Sequence, residues 1–306
     1  MNYSYTDYFA QIYDDVMRQV PYSFWFRYLK DLLKYYKSEP EQVLELAAGT
    51  GNMTVNLVKL NKIDRVIALD LSSAMLDKSM ENFADKFPYF NKLSAQKNKT
   101  KAVVKTAKQR QVELLFLEKN MSKFKLANKV DLIVSFFDSL NYLTEKDQLV
   151  ACFTSAADSL SRDGLFIFDM NSLARIRTIG NRSIVLEGED YTCFWQDIVY
   201  PENNLWQVKL KICPDHQDIP CFEELHTERG YKINTITSLL KKSGFSAVDI
   251  YQAFSFREGR DSSDRLYFVA ALNKKRLTET QTQFKKYYYL IKNFCDYSYL
   301  NLKYSL

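Results

Sequence analysis

Residues 43–51 read Val-Leu-Glu-Leu-Ala-Ala-Gly-Thr-Gly, a short apolar strand, Val43–Leu46, running into a glycine turn. Glycine is scarce, eight in the whole chain, and Gly49 and Gly51 both fall here. Without a Cβ at either position a ligand can approach the backbone. A helix expected from about Asn52 to Asn61 would offer free N–H groups at its start to an anionic group. Arg65–Asp70 (RVIALD) reads as a second strand, ending 19 residues after Gly51 in Asp70. A carboxylate there can accept both hydroxyls of an adenosine ribose. The plainer reading is an ordinary glycine turn and a strand-end Asp used as a helix cap. The two features, in this order and at these strand ends, favour a nucleotide site.

Outward from this pair the pattern is consistent. Before it, Trp25, Tyr28, Leu29, Leu32, Leu33 and Tyr36 recur at helix spacing, with Pro21 near the helix start. After it, a helix capped by Ser72 or Ser73 runs to Phe87. Val112–Leu117 is a third strand and Asp131–Phe137 a fourth. Thr144 with Asp147 resembles a capping box opening a helix to Leu160, and Leu165–Asp169 is a fifth strand. Continuous apolar strands alternating with helices imply a parallel sheet covered on both faces, a doubly wound α/β fold. From Ser172 the period changes to two. Residues 183–187, 190–200, 204–213 and 221–228 alternate polar with apolar, which predicts an antiparallel lobe inserted into the α/β unit. The α/β pattern resumes with a helix near Asn234–Ser243 and strands near 247–254 and 265–272. The expected division is a helical cap over 1–39, a core over 40–175, the lobe over 176–228, a return to the core over 229–272 and a tail over 273–306.

Composition narrows the function classes. No apolar run approaches the roughly 18 to 20 residues of a membrane span. The start, Met1-Asn2-Tyr3-Ser4-Tyr5, has neither the basic head nor the apolar stretch of a secretory signal. Five cysteines (Cys152, Cys193, Cys213, Cys221, Cys295) are odd in number, with no Cys-x-x-Cys pair. That argues against a disulfide framework or thiolate metal site and fits a reducing cytoplasm. With only two histidines an all-histidine metal site is nearly excluded, and no metal is expected. The net charge of +5 is uneven: residues 86–129 carry +10 and residues 274–306 carry +5, leaving an acidic body. This is not a uniformly basic nucleic-acid binder.

A P-loop would need Gly-Lys-Ser/Thr, which the chain lacks, and the dinucleotide fingerprint wants a third glycine where Thr54 stands. What stands here is Glu-x-Ala-x-Gly-x-Gly. With VLELAAGTGNMT (43–54), ALDLSSAML (68–76) and DGLFIFDMNS (163–172), the sequence resembles the class I S-adenosylmethionine-dependent methyltransferases over roughly residues 8–272. It is most similar to the small-molecule branch with an antiparallel insert after strand five; FFDSLNYL (136–143) and EELHTERGY (223–231) resemble segments of that branch. The resemblance implies a Rossmann-like sheet with a final antiparallel strand, the inserted β lobe, an N-terminal helical cap and S-adenosylmethionine as cofactor. It further implies that Glu45, Ala47, Gly49 and Gly51 hold the amino-acid end of the cofactor and that Asp70 binds the ribose. Leu71 and Met75 then flank the adenine, and Asn120 and Met121 match the position where the family often has Asp before a backbone contact to the adenine. Phe136 and Phe137 make backbone contacts near ribose and sulfonium. The leading segment YFAQIYDDVMRQVPYSFW matches the family's first helix, which makes Tyr13 and Tyr22 candidates for the cofactor's carboxylate or the acceptor.

Methyl transfer from a sulfonium needs alignment above all, plus a base if the acceptor is a hydroxyl or ammonium. Candidates for the acceptor side are Asp138, Asn141 and Tyr142, which follow strand four, and His226 in the lobe. Each also has a structural reading, as a turn former or a strand residue paired with Glu223 or Glu224. The lobe aromatics Tyr191, Phe194, Trp195, Tyr200 and Trp206 fit a flat or cationic acceptor, or plain packing. Residues 91–112 hold seven Lys/Arg, no acid and no aromatic ring. They read as a solvated, mobile insertion, or else as a phosphate-contacting arm. In the tail, Phe284, Tyr287, Tyr288, Ile291, Phe294 and Cys295 at helix spacing predict a helix docked on the body or on a second subunit. The expectation is methyl transfer to a nucleophilic N or O of a small molecule, with an oligomer through lobe or tail as an option. The rivals are an RNA or protein methyltransferase using the basic arm, a non-catalytic cofactor-binding or scaffold protein, and a nicotinamide-dependent oxidoreductase.

Overall fold

A computed structural model describes residues 5–216, 219–278, 288–290 and 292. Along the chain come α1 (Asp7–Val16), α2 (Tyr22–Tyr35), β1 (Gln42–Leu46), α3 (Thr54–Leu57), β2 (Arg65–Asp70) and α4 (Ser73–Lys86). A hairpin of β3 (Asn91–Gln96) and β4 (Lys99–Lys105) precedes β5 (Gln111–Glu118) and β6 (Val130–Ser135). A 3-10 turn (Ser139–Tyr142), α5 (Lys146–Ser159), β7 (Leu160–Asn171) and α6 (Leu173–Thr178) follow. Then come β8 (Arg182–Glu187), β9 (Tyr191–Tyr200), β10 (Leu205–Pro214) and β11 (Phe222–Arg229). The chain closes with α7 (Ile233–Lys242), β12 (Ala247–Gln252), β13 (Arg265–Ala271) and α8 (Lys275–Thr278).

The large sheet runs β12-β13-β7-β6-β1-β2-β5-β4-β3. β7, β6, β1, β2 and β5 are parallel to one another, which is why they are apolar almost throughout, with helices covering both faces. β13 enters antiparallel between β7 and β12. The order steps outward in both directions from the β6–β1 boundary, so the carboxyl ends of β6, β1, β2 and β5 open side by side, where open α/β sheets bind ligands. The cap owes its place to α2, which buries Phe24, Trp25, Tyr28, Leu29, Leu32 and Leu33 against the sheet. At about 1.5–3 kcal/mol for each such side chain this is a substantial anchor. The second sheet, β11-β10-β9-β8, is wholly antiparallel. Its apolar face (Tyr191, Cys193, Val208, Leu210, Ile212) packs on Phe9 and Ala10 of α1 and on Met75.

Several sequence expectations change. Residues 91–105 are not a loose insertion: they form the hairpin β3–β4, which adds two antiparallel strands beyond β5, with Ala102 and Val104 buried. The helix expected over 52–61 is a single turn. After Val58 the bonds tighten to three-residue spacing, with Lys59 N–H donating to Asn56 O and Leu60 N–H to Leu57 O. The box opening α5 is formed by Glu145 and Gln148, one residue on from Thr144 and Asp147. A disulfide joins Cys213 to Cys221, against the all-thiol expectation. The register explains it: Ile212 pairs with Phe222 across the β10–β11 hairpin, so the next residues out face each other. Cys152 and Cys193 are buried free thiols. Of the tail, Phe284, Tyr287, Ile291, Phe294 and Cys295 lie outside the described residues, whereas Tyr289 is buried against Tyr35 and Phe256 and Lys292 pairs with Asp31 at 2.6 Å. No helix among the described residues is long and apolar enough to cross a membrane.

Candidate active site

The turn after β1 is bent by three left-handed residues, Ala47 (φ 55°), Gly49 (φ 55°) and Gly51 (φ 79°). Only glycine adopts this region without penalty, so the non-glycine Ala47 marks a position held by its surroundings. The two glycines do different work. A Cβ on Gly51 would stand 2.1 Å from Ser79 Oγ of α4, so this glycine admits a neighbouring helix. A Cβ on Gly49 would meet nothing within 4 Å, so this glycine faces open space. Gly49 N–H donates to Asp70 Oδ2 (2.7 Å) and Ser72 N–H to Asp70 Oδ1 (2.9 Å). The carboxylate therefore ties the two strand ends together. With roughly four acceptor positions in all, it keeps capacity for hydroxyl donors. Burial pushes the Asp70 carboxyl upward. Glu45, buried behind the turn, accepts from Thr54 Oγ1 (2.5 Å), and burial raises its carboxyl to about 8.

The cap reaches this turn through a residue the sequence reading missed. Asp14 of α1 accepts from Thr50 Oγ1 (2.6 Å), Asn52 Nδ2 (2.6 Å) and Asn82 Nδ2 (2.8 Å). The available signal was an acid beside Tyr13 in a segment already matched to the family's first helix. Tyr13 lies at 6.1 Å from Tyr5, and Tyr22 packs edge-on against Phe137 at 4.8 Å. Phe137 (φ 58°) and Asp138 (φ 54°) are consecutive left-handed residues as β6 leaves the sheet, and Phe136 before them is buried. Leu71 is 67% exposed, while Met75 lies buried against α1 and the lobe. Asn120 turns its carbonyl onto Ser122 N–H (2.8 Å) and Met121 packs on the core; their strand end is tied to β2, with Lys119 N–H donating to Asp70 O (2.8 Å).

On the acceptor side the four predicted residues separate by role. Asn141 is a frame: its Nδ2 donates to Asn171 O (3.0 Å) and Arg229 O (2.8 Å), and its Oδ1 accepts from Asn171 N–H (3.0 Å). Tyr142 and His226 meet, with the Tyr142 hydroxyl 3.1 Å from Nδ1 and Tyr5 Oη donating to Tyr142 Oη at 2.9 Å. His226 Nε2 is buried, 3.8 Å from Glu224, and has no hydrogen-bond partner among the described residues. Burial lowers this imidazole to about 4, so it is neutral at physiological pH and a weak base. Asp138 Oδ1 accepts from Arg265 Nη1 (3.1 Å) and Oδ2 from Asn171 Nδ2 (2.6 Å). Arg265 also binds Asp169 (2.6 Å), and neither was singled out from the sequence. The lobe aromatics mostly serve the lobe. Trp195 and Trp206 both donate to Asp197, Tyr191 donates to Asp15, and Phe194 is exposed.

A doubly wound sheet with its last strand reversed, a Glu-x-Ala-x-Gly-x-Gly turn after the first strand and an acid ending the second define the class I S-adenosylmethionine-dependent methyltransferases. No family model matches the chain. Two bacterial proteins with methyltransferase names align along nearly their whole length. The one from Geobacillus sp. (strain WCH70) is 26% identical over 266 residues, covering 86% of this chain and 97% of its own. YqeM of Bacillus subtilis (strain 168) is 25% identical over 275 residues, covering 87% and 96%. Among solved structures, an S-adenosylmethionine-dependent methyltransferase from Clostridium acetobutylicum ATCC 824 superposes with a TM-score of 0.68 at 25% identity, covering 87% of this chain and 98% of that one. The chain is similar to these proteins over most of its length and is a methyltransferase that uses S-adenosylmethionine.

Proposed function

We propose that the chain transfers a methyl group to a nucleophilic nitrogen or oxygen of a small molecule enclosed between sheet, cap and lobe. The observation that carries the cofactor half is the turn at residues 47–51, left-handed at three positions, open at Gly49 and tied to Asp70 through the Gly49 N–H. In this reading Glu45, Ala47, Gly49 and Gly51 receive the amino-acid end, with Tyr13 and Tyr22 above them. Asp70 receives the ribose hydroxyls, and Leu71, Met75, Asn120, Met121, Phe136 and Phe137 surround the adenosine. The bound cofactor supplies an electrophilic methyl group on a sulfonium. The protein's own residues hold the acceptor in line and exclude water, the terms that dominate such displacements.

The small-molecule half is supported by closure. The lobe's β11 lies over the carboxyl ends of the sheet and meets the cap, where Glu224 accepts the Tyr5 and Thr6 N–H groups. The basic hairpin stands four strands from β6, about 19 Å at the usual strand spacing, so its lysines do not line the mouth beside Asp138.

Calorimetric titration with S-adenosylmethionine, S-adenosylhomocysteine and NAD tests the site. The first two should bind, and Asp70→Ala should weaken them by roughly 10- to 150-fold, the loss of hydrogen bonds to a charged group. Binding of NAD alone would overturn the assignment of the turn. Glu45 adds a signature. Its carboxyl, raised to about 8, holds a proton at pH 7, and an arriving ammonium favours the charged form and drives that proton off. Titrations in two buffers of different ionisation enthalpy should read release of about one proton at pH 7 in the native protein and none in Glu45→Gln.

A further inference from the structure

The inner face of β11 inverts the usual alternation of a strand. Glu224, His226 and Glu228 are buried while Leu225 between them is exposed. Burying such a row is costly unless each group has a partner. His226 has Tyr142, and Glu228 accepts from Asn171 Nδ2 at 3.1 Å. Glu224 takes its donors from the cap: the N–H groups of Tyr5 and Thr6, the latter at 2.9 Å, and the Thr6 hydroxyl. These residues lead into α1, a ten-residue helix about 15 Å long. Near the helix's far end Asp14 holds Thr50 and Asn52 at the glycine turn. Ahead of its near end Tyr5 O accepts from Ser72 Oγ at 3.0 Å, two residues beyond Asp70. α1 thus lies across the seat assigned above to the cofactor, from the turn at 47–51 to Met75, on which Phe9 and Ala10 pack.

The two cap helices are fastened differently. α2 buries nine of its residues, whereas α1 buries only Phe9 and Ala10. A helix held by hydrogen bonds more than by apolar burial belongs to the low-stability end of a structure, where local opening occurs. Tyr5 is itself left-handed (φ 61°), a conformation that a bulky residue adopts only where its surroundings impose it. We propose that residues 5–16 are a gate over the cofactor seat and that Glu224 is its latch, so that the lobe sets how fast the cofactor enters and leaves. This rests on the cofactor reading above. Opening breaks the bonds from Tyr5 and Thr6 to Glu224 and swings α1 about residues 17–21, while α2 stays on the sheet. Neither Glu224 nor Tyr5 nor Thr6 belongs to the residues assigned to the cofactor, so the latch holds equally well with the seat filled or empty. Only interactions that differ between two states shift the equilibrium between them. Loosening the latch therefore speeds entry and exit together and leaves the affinity where it was.

Association and dissociation of S-adenosylhomocysteine, followed by surface plasmon resonance on the native chain and two variants, test the gate. Glu224→Gln keeps the side chain's shape but turns one acceptor oxygen into a donor that faces the cap's N–H groups. It should raise both rate constants alike, each by about tenfold, as expected for a lost hydrogen bond to a charged group. Affinity should stay within about threefold. Thr6→Val removes one donor from the gate and leaves the lobe untouched, and it should raise both rates by at least about threefold. Should Glu224→Gln fail to fold, Thr6→Val decides alone. Unchanged rates in either folded variant would overturn the latch. So would faster release without faster association, the mark of an ordinary binding contact. Both of these results leave the cofactor reading intact; failure of the native protein to bind S-adenosylhomocysteine would overturn that reading itself.

Discussion

An Arg265→Met variant is expected to lose about 3–5 kcal/mol of folding stability, the usual cost of removing one partner from a buried ionic cluster. Arg265 is the cation in contact with Asp138 and Asp169, and it also lies 5.8 Å from the Trp25 ring. Methionine fills much of the same volume, so the loss reports uncompensated charge more than a cavity. The variant should also acquire a pH signature. Burial already raises Asp169, and without the guanidinium the native state holds its protons more tightly still. A native state that binds more protons than the unfolded chain loses stability as pH rises, so the deficit should shrink on going from pH 8 to pH 5. Urea unfolding at the two pH values measures both effects. A deficit below about 1 kcal/mol at pH 8 would mean that Asp138 and Asp169 never demanded a cation.

The two glycines of the turn should fail in opposite ways. Gly51→Ala combines a left-handed φ of 79° with a Cβ placed 2.1 Å from Ser79 Oγ. Strain of about 1–2 kcal/mol and overpacking of about 1–3 kcal/mol add to roughly 2–5 kcal/mol, visible as a lowered melting temperature. Gly49→Ala bears only the backbone strain, about 1–2 kcal/mol, because its Cβ enters empty space. That space is where the cofactor should lie against the turn, so Gly49→Ala should lose S-adenosylhomocysteine affinity by about 100-fold or more, which is about 2.7 kcal/mol. Melting and calorimetry on both variants test the pair. If Gly49→Ala bound like the native protein, the cofactor would not approach the turn from that side.

Strand-by-strand, the alternating polar and apolar residues of 182–229 made the lobe legible, because one face of an antiparallel sheet is buried and the other is not. The same rule failed at 91–105, where lysines at positions 92, 97, 99, 101 and 105 drew the reading toward charge. Only Ala102 and Val104 turn inward there, too few for a periodic signal. The glycine turn and Asp70 stood out because their chemistry is local to two strand ends. Glu228, Asp169, Arg265 and Asp14 did not: each acts on a partner far along the chain, such as Asp138 and Arg265 or Asp14 and Asn82. Asn141 shows the reverse error, a polar residue beside the site whose amide is taken up by backbone. The disulfide depended on hairpin register, which cysteine counting does not contain.

The β3–β4 hairpin has one more effect, on how these molecules behave beside one another. Among the described residues β3 is the outermost strand of the nine, with every residue exposed and its outer backbone groups paired to no other described strand. Such an edge is a template on which a second molecule's strand can zip, the route to aggregates. Here it is blunted three ways: Lys92 sits on the strand, Lys97 at its tip, and a bulge breaks the register between Lys92 and Ser94. A charge pattern that first suggests a polyanion partner thus also guards an open sheet edge, and neutralising those lysines is expected to raise aggregation at high concentration.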